Sequence, residues 1–222
     1  ILFILLLCLF GAASGAGVLG AQFYGKGDME GVRNVFRIKL IISAIMVTLA
    51  IAALWMFADP LISLFLHDGS SSGDLQATLG YGRDYLQIML LGQIPLAAEM
   101  CYSSTLRESG ETSVSMKASI VALLINLGLN YILIYGKFGF PVLGVRGAAI
   151  ATIVSRFVQA LIVVAWSHSH LKRVPYFDGV YNTLLVPGKL IRRVMVLAFP
   201  LMMNETLWSS AVATQTALYS TR

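Results

Sequence analysis

The sequence predicts an all-α fold, a polytopic membrane helix bundle of about six transmembrane helices. Three observations lead there. Charged residues make up 12% of the chain and hydrophobic ones 57%, against roughly 25% charged in a soluble domain. The charges cluster in short stretches between long uncharged ones. Those uncharged stretches reach the roughly 20 apolar residues that a helix needs to cross a hydrocarbon core of about 30 Å. Lipid cannot satisfy backbone polar groups, and the period-two alternation of a barrel strand is missing, so the spans are helices.

Six segments follow in order. Segment A runs from Ile1 to about Tyr24, without a charge, and its small residues around Gly11 and Gly15 suit close helix packing. Segment B runs from about Ile38 to Phe57, with Lys39 just inside its start. Segment C, about Tyr85 to Leu106, contains Pro95 and Glu99. Segment D, about Ala118 to Gly136, carries Asn126 and Asn130 on one face, because residues four apart are neighbours on a helix. Segment E, about Gly147 to Trp166, has Arg156 at its middle. Segment F, about Val194 to Tyr219, has Pro200 and Glu205.

Lysine and arginine in the loops set the orientation. The A–B, C–D and E–F loops and their flanks hold eleven, from Lys26 to Arg193. The B–C and D–E loops hold three, Arg83, Lys137 and Arg146, the first beside Asp59, Asp68 and Asp74. The first set is therefore expected in the cytoplasm of a multi-pass cell-membrane protein. The chain is apolar from residue 1 and stops directly after segment F, which predicts a piece of a longer protein. Segment A is too long for a signal peptide and lacks a basic start. Residues 168–193, with Pro175, Pro187 and many basic residues, read as a cytoplasmic connector between residues 1–167 and the helix of 194–222.

The positive-inside bias accounts for most of the net charge of +5, so nucleic acid is not an expected partner, and the lipid bilayer is. Cys8 and Cys101 fall at different depths, which argues for two buried thiols. His168 and His170 form an H-x-H without a third ligand, which argues for an interfacial polar pair and no metal site. No H-E-x-x-H, nucleophile elbow or phosphate loop is present, so enzymatic chemistry is not expected.

Polar groups at membrane depth carry whatever chemistry there is. Glu205 lies twelve residues after Arg193, about 18 Å along a helix, near the bilayer midplane. A carboxylate buried beside the proline kink at Pro200 can hold a cation or take a proton. Glu99, one turn after the kink at Pro95, either lines a cavity or reaches the interface. Arg156 needs an acid or water, as a structural ion pair or in a cavity wall. Asn126, Asn130 and Gln22 serve interhelical hydrogen bonds or line a polar cavity.

Four stretches together resemble a known family. They are GAGVLGAQFYGKGD at the end of segment A, TLRESGET after C, INLGLNYILIYGKFGFPVLGVRGAAIATIVSR through D and E, and AFPLMMNETLWSS in F. They are similar to the multidrug and toxic compound extrusion (MATE) family of cation-coupled efflux transporters. That resemblance implies an incomplete twelve-helix, two-lobe transporter. Segments A to E then match the second to sixth helices of the first lobe, and F the seventh. The missing partners are the first helix and the remaining helices of the second lobe. It also implies antiport without a cofactor: sodium or protons enter while a small organic, often cationic compound leaves. Glu205 resembles the seventh-helix acid that couples the cation in many members. A lipid-linked oligosaccharide flippase of the same superfamily is the nearest alternative, and Arg156 alone makes a poor pyrophosphate cavity. A membrane-embedded enzyme or a non-transporting scaffold are the alternatives of other classes.

Overall fold

A structural model computed from the sequence describes residues 2–56 and 72–220, and among these it contains seven α-helices and no strand. They are α1 (Leu2–Gly25), α2 (Met29–Met56), α3 (Ser72–Leu91), α4 (Gln93–Glu108), α5 (Thr112–Tyr135), α6 (Gly144–Ser169) and α7 (Gly188–Ser220). Four of them, α1, α2, α5 and α6, are long and apolar enough to cross a membrane. Segments A and E match α1 and α6 closely. Ile1, Phe57, Asp59, Asp68 and Arg222 lie outside the described residues.

Three helices start earlier than hydropathy alone predicts. α2 begins at Met29 rather than Ile38, and α5 at Thr112 rather than Ala118. Their first turns are polar and protrude from the apolar layer. Local chemistry still fixes the start of α2, because Asp28 Oδ1 accepts the Gly31 amide at 2.8 Å and caps the helix. Likewise α7 begins at Gly188, so Lys189, Arg192 and Arg193 are helical and the connector shortens to residues 170–187.

Segment C is corrected more deeply. It is two helices, α3 and α4, interrupted at Gly92. Pro95 has no amide hydrogen, and its ring excludes the carbonyl one turn back. The chain relieves this with a tighter link from Gly92 N to Met89 O at 3.1 Å. The buried Gln93 side chain donates to the same carbonyl at 3.0 Å. α7, by contrast, runs unbroken through Pro200.

The helices alternate in direction, so the 26–28, 109–111 and 170–187 connections share one end of the bundle. α1 and α7 pack antiparallel along a seam of small residues. A Cβ on Gly11 would meet the Met202 backbone at 3.0 Å, and one on Gly15 would collide with the Ala198 backbone. Glycine permits this approach, as expected for membrane helices. α5 packs on α6 after a turn in which Gly136 takes φ 64°, a left-handed conformation that suits glycine.

The largest buried cluster lies at the connector end, not at mid-membrane. Val174, Tyr176, Phe177 and Val180 of the connector are buried there against Phe36, Tyr102 and Leu106. Arg37 holds the connector backbone, donating to Val180 O at 2.8 Å and Gly179 O at 3.0 Å. The Tyr176 hydroxyl meets Ser109 at 2.6 Å, and Tyr102 meets His168 at 2.9 Å and also Tyr181. The connector is thus a folded cap on the bundle. Each buried aromatic side chain contributes about 1.5–3 kcal/mol of apolar transfer.

Candidate functional site

The sequence-derived candidates fall in three places. The first is the α1–α7 seam. Val194, Ala198 and Ser209 are buried, and Met202 and Glu205 continue their stripe at helical spacing. Glu205 is half-buried near the centre of α7 and has no hydrogen-bonding or ionic partner among the described residues. One residue on, Thr206 bonds Cys8 of α1 at 2.9 Å and its own helix carbonyl, Met202 O, at 2.6 Å. The carboxylate of Glu205 therefore belongs to the inner stripe of its helix.

The second place is the α5–α6 contact. Asn130 Nδ2 donates to Asn126 Oδ1 at 3.0 Å, and Asn126 Nδ2 donates to Ser155 Oγ at 3.4 Å. Ser155 Oγ in turn donates to Thr152 O at 2.8 Å. This ladder satisfies the interhelical reading, yet it ends in an open acceptor, because Asn130 Oδ1 is buried without a partner.

The third place is the α3–α4 break. Arg156 directs a buried, unpartnered Nη1 toward Gly92, where a Cβ would lie 3.4 Å from it. No carboxylate pairs with Arg156 among the described residues, so the expected ion pair is not formed there. Gln93 Oε1 is a second buried atom without a partner. Glu99 is half-buried on α4 and accepts from Ser103 Oγ at 2.5 Å, a local bond one turn along the helix. Gln22 is exposed on α1 and joins none of these groups. The two histidines also separate, since His168 bonds Tyr102 while His170 stacks on Trp166 at 4.6 Å.

Sequence reasoning missed a buried ion pair. Lys39 has no exposed side-chain surface and gives Nζ to Glu108 Oε1 at 2.5 Å, Ser104 Oγ at 3.0 Å and Thr105 Oγ1 at 3.1 Å. Gly17 and Gly20 of α1 press on the Glu108 carboxylate, leaving no room for a Cβ at either position. A cavity of about 510 Å³ between α1 and α4 is walled by Ser14, Ser104, Arg107 and Glu108. Lys39 reads as a charge at the very start of segment B because the sequence reading places that start at Ile38 rather than Met29. The signal was the Asp28 cap, which puts Lys39 three turns inside α2.

A family model described as MatE matches residues 1–132. The chain belongs to the MatE family. Over 155 residues, 70% of the chain, this MatE sequence is 35% identical to the "Probable multidrug resistance protein NorM" of Thermotoga maritima, covering 32% of that relative. Over 208 residues it is 25% identical to the "Probable multidrug resistance protein YoeA" of Bacillus subtilis, covering 43% of it. The chain thus spans about a third to under half the length of these relatives. Two solved structures share the fold with a TM-score of 0.76 at 24% identity. They are the inward-facing and outward-facing conformations of a multidrug resistance MATE family transporter of the MOP superfamily. This MatE chain covers 44% of each, and they cover 92% and 95% of it. The MatE chain is a multi-pass membrane protein of a family of transporters, not of enzymes.

Proposed function

We propose that the protein to which this MatE sequence belongs is a cation-coupled antiporter that exports drug-like or toxic organic compounds by alternating access. Glu205 carries the reading. An acid at the middle of α7, on the stripe that faces α1 and without a partner among the described residues, is costly in a membrane unless a cation or proton visits it. Sodium or a proton bound there neutralises the carboxylate and favours one arrangement of α7 against α1. A cationic substrate competes for the same charge and favours the other, and each ligand shifts the equilibrium only by its differential affinity. Asn130 Oδ1 is a second buried polar atom without a partner among the described residues.

In this proposal α1 to α6 belong to the first lobe, α7 opens the second, and the capped connector joins them. The equal similarity to inward-facing and outward-facing structures supports helices that keep their packing while the lobes rock. The names of the relatives support multidrug efflux. The three connections at the capped end are taken as cytoplasmic, from the excess of lysine and arginine there.

The full-length protein in vesicles tests this. With ethidium as the transported cation, a sodium gradient and a pH gradient are imposed separately. One of the two drives export in this reading. Ethidium flux that neither gradient alters contradicts it.

A further inference from the structure

At the connector end, α5 and α6 leave a cleft of about 360 Å³. Ser113, Val114 and Lys117 line it from α5, and Ile162 and Trp166 from α6. The Glu111–Arg173 ion pair closes the connector side. Arg173 uses only Nε in that pair, at 2.5 Å, and its side chain stays 64% exposed. Its terminal nitrogens have no other partner among the described residues. Since Glu111 offsets Arg173, Lys117 leaves the cleft with a net positive charge, and the exposed Lys172 adds to it.

Outside the cleft, a neighbouring face of α5 is apolar and exposed. Met116, Ile120, Leu123 and Leu127 of α5 are exposed and lie at helical spacing on one face. That stripe starts beside Lys117 and runs away from the cleft toward mid-membrane. The Trp166 indole, stacked on His170 at 4.6 Å, marks the level where an amphipathic ring meets headgroups. Cations at the top, an indole beneath them and a greasy stripe below match one molecule: a phosphate head with acyl chains.

We propose that the cleft between α5 and α6 binds the phosphate of an anionic phospholipid, whose acyl chains lie along the α5 stripe. Arg173 and Lys117 supply charge to the phosphate and Ser113 a hydroxyl donor. A soluble phosphate could use the same cations but would make no use of the stripe, which is why the lipid is chosen. The inference does not depend on the transport reading.

The test uses the full-length protein with Trp166 as the one retained tryptophan, in vesicles. Brominated phosphatidylglycerol is compared with brominated phosphatidylcholine as a quencher. Phosphatidylglycerol quenches preferentially in this proposal. Lys117→Gln lowers that preference about fivefold, the effect of one cation near a membrane surface. Equal quenching by the two lipids, or a preference untouched by Lys117→Gln, overturns it. So does loss of the preference on adding excess inorganic phosphate, which would mark a soluble-anion site. If the tryptophan replacements prevent folding, native mass spectrometry of the unaltered protein decides. Retained phosphatidylglycerol over phosphatidylcholine supports the proposal, and equal retention overturns it.

Discussion

Lys39 and Glu108 illustrate what a buried charge demands. Lys39 has three oxygen acceptors and no exposed side-chain surface, so removing Glu108 strands an ammonium inside the bundle. Glu108→Ala is expected to cost about 3–5 kcal/mol, whereas the pairwise change Lys39→Met with Glu108→Leu recovers much of it. Thermal unfolding of the purified full-length protein measures both. The residues nearest the proposed chemistry were legible for a single reason: an uncharged run makes any acid, amide or arginine inside it conspicuous. Glu205, Asn126, Asn130 and Arg156 stood out that way. Their surroundings did not, because Ser155, which accepts from Asn126, is an ordinary polar residue until α6 is placed against α5.

At the scale of elements, two contacts decide how helices meet. Gly15 lies against the Ala198 backbone, so Gly15→Leu forces α1 and α7 apart. An overpacking cost of about 1–3 kcal/mol is expected, read as a lower unfolding temperature. Phe177 anchors the connector between Phe36 and Tyr102, with ring centroids 5.0 Å away in each case. Phe177→Ala is expected to cost about 3–5 kcal/mol and to speed hydrogen exchange through residues 174–182. Apolar length found the middles of the helices but not their ends. α2 and α5 extend beyond the lipid layer on turns that carry charge, and hydropathy has no view of these. The Gly92 break was half visible: Pro95 announced a disturbance, but two helices in place of one follow from how Gln93 and Gly92 share the Met89 carbonyl. The prolines and basic residues of 168–193 read as a connector, and Val174, Tyr176, Phe177 and Val180 within it fill a buried core.

For the whole molecule, alternation of direction places all three basic connections at one end, as the loop charges required. The fold class and the family were within reach of composition and motif. The joining of Glu205 to the asparagine ladder was not, since α7 packs on α1 while the ladder lies between α5 and α6. The chain spans 44% of its structural relatives. The most direct measurement is gradient-driven ethidium export by the full-length protein carrying Glu205→Gln or Glu205→Asp. The account predicts that Glu205→Gln loses coupling and weakens ethidium binding while its fold persists, and that Glu205→Asp keeps part of both. Undiminished gradient-driven export by Glu205→Gln would contradict it.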